Sequence, residues 1–382
     1  MELYIHLPYC RQKCRYCDFA SWAGQESTMG AYVAALLTEA EAMAANTKGA
    51  PIETVFIGGG TPSILPAPLL TRLLAGLRQH YNIPEGIEFT SEANPGTLTE
   101  AWLEAAMSGG VNRLSMGMQA AQPDLLRTLG RIHDQQAVEE SVLLARKMGI
   151  RNLSADLMFG LPGQTADMWR ESLDAALSLS PEHLSCYGLI PEDGTPLKRD
   201  LDADRLVLPD EDAEREMYDD TLRILSEHGY EQYEISNFAK PGRECRHNIG
   251  YWTRVPYIGL GASAASYLET ASGGLRLTNP AGIRDYISMA QDKAWRRRER
   301  TSLLPEDARF ESLMLGLRMT RGVSEADFAA MHGMTLDAYC GDVLRSQEKR
   351  GLLLHQEGRW ALTRRGMDVQ NALLVEIMES VE

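Results

Sequence analysis

Apolar runs of strand length recur through the first half of the chain, with helix-patterned segments between them. The runs are LYIHL from Leu3, TVFIG from Thr54, IEFTS from Ile87, NRLSM from Asn112, NLSADLM from Asn152 and HLSCYGL from His183. The intervening segments begin at Met29, Ala67, Leu98, Gln136 and Thr165, and their apolar residues recur with a period near 3.6. Near-continuous apolar strands suit a parallel sheet covered on both faces. With right-handed crossovers, this alternation predicts an α/β fold, either a doubly wound sheet or a full or partial barrel. A further helix is expected over DEDAEREMYDDTLRILSEHGY, from Asp210.

The rest of the chain has a different texture. Residues 232–307 are rich in Gly, Asn, Arg and aromatics and read as an irregular linking region after a 1–231 repeat unit. Residues 308–382 pattern as three helices, a hairpin at LLLHQEGRWALT and a closing helix, an α+β module of winged-helix type. Such modules can bind DNA, but a formal net charge of -15 and a pI near 5.1 disfavour nucleic acid and favour a lid or packing role. No run approaches the roughly 18 apolar residues of a membrane span. No secretion signal is evident. A cytoplasmic protein without a transmembrane segment is therefore expected.

In parallel α/β folds, ligands meet the carboxyl ends of the strands. Here each strand is followed by glycines or polar groups. After the first comes YCRQKCRYCDF, which holds three of the six cysteines: Cys10, Cys14 and Cys17. In a reducing compartment, clustered thiols suggest metal or redox chemistry. The spacing C-x3-C-x2-C suits a [4Fe-4S] cluster with one iron free of protein ligands. A zinc site is the rival, with His6 as a fourth ligand. After the second strand comes GGGTP, where glycines would let the backbone approach a ligand closely. The third strand carries Glu92, placed to pair with a ligand ammonium or a ribose. Gln119, Asp156 and Tyr187 stand at later strand ends, and Gln119, Arg131 and Asp156 are as able to make structural hydrogen bonds as to hold a ligand.

These marks together resemble the radical S-adenosylmethionine (SAM) superfamily, and within it the oxygen-independent coproporphyrinogen III oxidase-like group. YIHLPYC, FIGGGTPS, SEANPG, RLSMGMQ, GRIH and DLMFGLPGQ match that group in order and spacing. The resemblance covers essentially the whole chain. It implies a partial (β/α)6 TIM-like barrel, a [4Fe-4S] cluster on Cys10, Cys14 and Cys17, and SAM on the open iron. Tyr4, Gly59 and Glu92 match positions that contact this SAM. Tyr16, Gly60, Thr61, Gln119, Arg131 and Asp156 match positions that hold a second SAM in the true oxidases.

Two features set the chain apart from those oxidases. They continue the loop as C-x3-C-x2-C-x-C, whereas the fourth position here is Phe19. CRHNIGYW, Cys245 to Trp252, resembles the H-N-x-x-Y-W signature of the group's haem-chaperone branch. That resemblance implies haem held by His247, Asn248, Tyr251 and Trp252, an apo-haemoprotein acceptor such as a respiratory enzyme, and an electron-donor protein. Meeting such acceptors would bring a cytoplasmic protein to the membrane periphery. The chemistry agrees: histidine is a common axial ligand of haem iron, and aromatic faces suit a flat macrocycle. Asn248 would orient the imidazole, and Cys245 is a rival thiolate ligand. The expectation is a haem chaperone in preference to a coproporphyrinogen III dehydrogenase, the alternative being oxidative decarboxylation of coproporphyrinogen III.

Overall fold

The computed structural model describes residues 1–270 and 273–381. Six βα units open the chain. Their strands are β1 (Glu2–Leu7), β2 (Thr54–Gly59), β3 (Glu88–Ala93), β4 (Arg113–Gln119), β5 (Asn152–Phe159) and β6 (His183–Gly188). The helices between and after them are α1 (Met29–Ala44), α2 (Ala67–His80), α3 (Glu100–Ser108), α4 (Pro123–Leu129), α5 (Gln135–Met148), α6 (Ala166–Ser178), α7 (Pro196–Asp202) and α8 (Glu211–Glu227). Several of their starts are capped by side chains. Thr99, Asp134, Thr165 and Asp210 each accept a backbone N–H in the first turn of the helix that follows.

The six strands pair in parallel and in sequence order, β1-β2-β3-β4-β5-β6. A doubly wound sheet reverses its strand order at a switch point. No reversal occurs within β1–β6, so the unit is a barrel type, left open. Its outer core is aliphatic, with Leu3, Ile5, Val55, Ile57, Leu73, Leu77, Leu103 and Leu114 buried under α1, α2 and α3. A second cluster gathers Leu153, Leu157, Leu184 and Met217 around Trp169, whose indole donates to Met217 O at 2.8 Å.

Residues 232–307, expected to be irregular, are largely ordered into the same sheet. After β7 (Glu231–Gln232) and β8 (Asn237–Ala239), which pair beyond β6, comes helix α9 (Arg246–Trp252). Strand β9 (Tyr257–Leu260) then runs parallel to β1 on its free edge. β10 (Ala265–Thr270), β11 (Gly273–Thr278) and β12 (Glu299–Leu303) extend it antiparallel, with α10 (Ile283–Gln291) between the last two. The region was misread because its strands are short and rich in polar and glycine residues. They draw stability from covering the β1 edge, not from their own pattern.

The buried Glu39 carboxylate on α1 ties this extension down. It accepts from Gly261 N (2.9 Å), Asn279 Nδ2 (2.7 Å), Tyr286 Oη (2.5 Å) and Arg298 Nη2 (2.5 Å). The C-terminal part comprises α11 (Pro305–Gly316), β13 (Val323–Ser324), α12 (Glu325–His332), α13 (Leu336–Lys349), β14 (Leu353–Gln356), β15 (Arg359–Leu362), α14 (Arg364–Asp368) and α15 (Gln370–Val381). Its three strands form a separate sheet in the order β13-β15-β14, the small α+β module that the helix–hairpin pattern predicts. Arg254 fastens it to the main body, donating to Ala308 O and Ser312 Oγ at 2.9 Å.

Candidate functional site

A cavity of about 470 Å³ opens at the carboxyl ends of β1–β6. Each of the six strands, or the turn after it, contributes to the wall: Tyr4 and the cysteine loop, Phe56 and Gly59, Glu92, Gln119, Asp156 and Tyr187. Cys10, Cys14 and Cys17 all line it and are free thiols. Of the residues singled out from the sequence, His6, Thr61, Cys245 and Trp252 lie off this wall. Thr61 stands behind it, its hydroxyl 3.6 Å from Cys10 Sγ.

The cysteine loop is held by its neighbours rather than by its own secondary structure. Cys10 N donates to Trp22 O (3.0 Å) and Arg15 N to Leu129 O (2.9 Å). Arg131 reaches Cys14 Sγ with Nη1 (3.4 Å) while Nη2 donates to Gly117 O (2.6 Å) and Asn94 Oδ1 (2.8 Å). Asn94 in turn donates to Thr61 Oγ1 (2.9 Å). Three free thiols on one loop, with hydroxyl and guanidinium donors at two of the sulfurs, fit a cluster with three protein ligands. Zinc fits less well. Both nitrogens of His6 are engaged, Nδ1 with Tyr4 Oη (3.0 Å) and Nε2 with Ala20 O (2.8 Å). Among the described residues, no group of three or more His, Cys, Asp and Glu side chains is arranged to hold a single ion.

The glycine run serves a different contact from the one expected. A Cβ on Gly60 would lie 2.5 Å from Tyr9 O, and one on Gly59, where φ is +111°, 2.6 Å from the His6 ring. Their amides are also committed: Gly59 N to Glu92 Oε2 (3.0 Å), Gly60 N to Leu7 O (2.8 Å) and Thr61 N to Tyr9 O (2.7 Å). The run therefore lets the chain close against its own cysteine loop, and these amides are not free for a ligand.

Glu92 faces the cavity, and its carboxyl is pushed up to about 8 by burial and, secondarily, by the charge of Asp156, against the opposing Gly59 N–H. Asp156 accepts from Ser115 Oγ (2.9 Å) and Ser154 Oγ (3.0 Å), and burial raises it too. A cationic ligand group beside them would restore the charged forms. Gln119 ends β4 at a register shift with φ of +68°, a strained conformation for a non-glycine residue that turns the chain at the cavity rim. Sequence reasoning missed Arg113, Ser115 and Gly117, which line the wall with Gln119. The signal was available: RLSMGMQ alternates, so one face of β4 carries all four.

HNIGYW is a helix, not the loop it was read as. The His247 side chain is 1 % exposed, and both its nitrogens are occupied, Nδ1 by Thr54 Oγ1 (2.7 Å) and Nε2 by Tyr251 Oη (3.0 Å). Burial, aided by the Arg113 charge, holds its imidazole down at about 3, hence neutral. The ring stacks on Phe56 with centroids 5.2 Å apart. As placed, His247 meets an iron only after the Tyr251 hydroxyl leaves Nε2. Gly250 is required because a Cβ there would overlap the buried Glu2 carboxylate at 1.9 Å. Cys245 is buried, donates to Glu88 Oε1 (3.5 Å) and lines neither cavity of this region, so its role as an alternative iron ligand finds no geometry.

A second cavity, of about 750 Å³, adjoins the first along α9. Tyr187, Asn248 and Tyr251 line both spaces, and Trp252 lines the second. One face of the HNIGYW helix thus borders both the cysteine cavity and the larger one, whose wall mixes aromatic and charged side chains.

An open six-stranded βα barrel with a thiol trio at its mouth is the architecture of a radical SAM protein, and comparison agrees. The model of the radical SAM superfamily matches residues 4–176, and that of the HemN C-terminal domain matches 303–369. Coproporphyrinogen III oxidase (HemN) from Escherichia coli superposes with a TM-score of 0.85 at 22% identity, over 98% of this chain and 89% of that one. More specific are two relatives described as heme chaperone HemW. The Bacillus subtilis protein is 39% identical over 95% of each chain, and that of E. coli 36% identical over 98% of this chain and 97% of its own. The chain belongs to the heme chaperone HemW family of radical SAM proteins. No helix among the described residues is long and apolar enough to cross a membrane.

Proposed function

We propose that the chain is a haem chaperone: it takes up haem beside a cluster-and-SAM site and hands it to an apo-haemoprotein, a respiratory enzyme being the expected acceptor. One observation carries this reading. A chain 39% identical to a heme chaperone over 95% of both lengths presents His247, Asn248 and Tyr251 of HNIGYW to the thiol-lined cavity, and Asn248, Tyr251 and Trp252 to the one that adjoins it.

In this reading Cys10, Cys14 and Cys17 hold the cluster, which when bound supplies one-electron chemistry to SAM. Thr61 and Arg131 hold the sulfur ligands in place. Tyr4, Gly59 and Glu92 form the wall for the first SAM, with Glu92 ready to charge against its ammonium. Tyr16, Gly60, Gln119 and Asp156 complete the opposite side, but the committed amides of Gly60 and Thr61 leave less there for a second SAM. Tyr251 and Trp252 offer ring faces to haem. Asn248, on the shared wall, faces both cavities, and His247 ligates iron once Tyr251 releases it.

Haemin titration of the anaerobically reconstituted chain tests the reading. A saturable Soret band is expected, together with haem transfer to an apo-haemoprotein. Absence of saturable binding overturns it. The alternative is coproporphyrinogen III oxidation, which the oxidase-like fold allows. Against it stands Phe19, 59 % exposed, where the oxidases have a fourth cysteine. Incubation with coproporphyrinogen III, SAM and reductant is expected to give no protoporphyrinogen, and formation of that product would replace the chaperone reading.

A further inference from the structure

Three arginines are buried among the described residues, and two of them are engaged. Arg298 donates to Asn279 Oδ1 (2.9 Å) and Glu39 Oε1 (2.5 Å), and Arg254 to Ala308 O and Ser312 Oγ (2.9 Å each). The third, Arg113, is 2 % exposed. Among the described residues nothing hydrogen-bonds to its guanidinium, and no carboxylate oxygen comes within 4.0 Å of it. Nε is closed off inside the wall. Nη1 and Nη2 are equally unpaired but not closed off, and Arg113 lines the cysteine cavity, so the fork ends there. A buried guanidinium without a partner is costly, and its donors are met by a ligand or by water.

Arg113 marks the floor of this cavity. It opens β4, whose inward face continues through Ser115 and Gly117 to Gln119 at the rim, about 20 Å further along the strand. His247 lines the cavity at a similar depth, since its Nδ1 meets Thr54 Oγ1 at the start of β2. The carboxylates that act on Arg113 are held by other groups. Glu88 accepts from Arg246 N (2.9 Å) and His247 N (3.0 Å), and Asp156 from Ser115 Oγ and Ser154 Oγ. Burial opposes the charge of Arg113, but Cys245, Glu88, Tyr233 and Asp156 together outweigh it and keep the guanidinium charged. The wall's other arginine, Arg131, is spent on Cys14 Sγ, Gly117 O and Asn94 Oδ1. Burial meanwhile lifts Glu92 to about 8 and raises Asp156. The carboxyls of this wall therefore lean neutral beside two charged guanidiniums, a balance that favours an anion.

We propose that Arg113 is the anion seat of the cysteine cavity, and that its terminal nitrogens take a carboxylate of the molecule bound there, a haem propionate beside His247. A planar guanidinium fork matches the two oxygens of a carboxylate, and a charge-assisted pair of this kind is among the stronger hydrogen bonds. The proposal rests on the haem-chaperone reading and deepens it: the acid side chain of the cargo goes to the floor of the cavity, next to the imidazole given to its iron. SAM also carries a carboxylate, so the test separates the two sources.

Haemin, haemin dimethyl ester (the same ring without free carboxylates) and SAM are each titrated into the reconstituted full chain. The chains are wild type, Arg113→Gln, Arg113→Lys, and Arg345→Gln as a surface control whose guanidinium is held by Asp337 and Asp342. Wild type is expected to bind haemin more tightly than the diester. Arg113→Gln is expected to weaken haemin about tenfold and to leave the diester and SAM unchanged. Arg113→Lys, which keeps the charge without the fork, is expected to fall between the two, and Arg345→Gln to match wild type. Thermal unfolding checks that the chains are folded. If Arg113→Gln is not, the lysine variant and the wild-type comparison of haemin with its diester carry the test. Loss of SAM binding alone overturns the haem assignment and gives the seat to SAM. If Arg113→Gln binds haemin and SAM as wild type does, weakens haemin and the diester equally, or if wild type does not distinguish haemin from its diester, Arg113 is no seat for the haem carboxylate while the chaperone reading stands. If wild type binds neither porphyrin, the chaperone reading has failed and this inference goes with it.

Discussion

At the scale of single residues, the cavity is governed by burial acting on charge. Glu92 is neutral-leaning in the folded chain, with its carboxyl near 8 against an ordinary 4.5. The folded state therefore holds a proton that the unfolded state releases between those values, and stability falls as pH rises from about 4.5 to about 8. Glu92→Gln keeps the acceptor for Gly59 N but removes the titration. The variant is expected to gain stability over wild type across that window, by up to a few kcal/mol at pH 8, measured by urea unfolding of the cluster-free chain. Equal pH profiles for the two would contradict the assignment. Gly250→Ala meets the Glu2 carboxylate and is expected to cost about 1–3 kcal/mol, checked by the same unfolding curves. What the sequence told at this scale was residue identity. Which partner each glycine and carboxylate serves was not legible. Gly60 closes on Tyr9, 51 residues away in sequence, and such a contact leaves no local pattern.

Elements tell a mixed story. The six βα units were readable because a buried parallel strand and an amphipathic helix each carry a strong period. The strands β9–β12 were not, since they are edge additions held by one buried cluster around Glu39. That cluster makes a prediction. Glu39→Ala leaves the Arg298 guanidinium, 7 % exposed, without its carboxylate. Removing one partner of a buried pair costs about 3–5 kcal/mol. The loss is expected to appear in hydrogen exchange first at β10–β12, with β3–β5 protected for longer. Uniform protection in the variant would show that Glu39 is not what fastens the extension. The helix that carries HNIGYW was not expected, because seven residues with two aromatics and a glycine give too little period to register. Its helical form matters, since it puts His247, Asn248, Tyr251 and Trp252 on one face that borders both cavities.

For the whole molecule, fold and site share one origin. Sequential parallel strands bring six carboxyl ends together, and the chain uses that rim for three thiols, two carboxylates and two guanidiniums. The second cavity exists because α9 and α11's end, with Arg318 just beyond it, pack onto the rim from residues far along the chain. The cysteine spacing made the first site legible from the start. The second was not, because its residues come from β5, β6, α8, α9 and the segment after α11 and meet only in the folded molecule.

The central claim is that Cys10, Cys14 and Cys17 hold an iron–sulfur cluster open to SAM. The most direct measurement is iron and acid-labile sulfide content after oxygen-free reconstitution, with electron paramagnetic resonance of the reduced protein before and after adding SAM. The account predicts about four irons and four sulfides per chain, and a spectrum that changes when SAM arrives. A chain that takes up no cluster, or whose reduced cluster is indifferent to SAM, contradicts it.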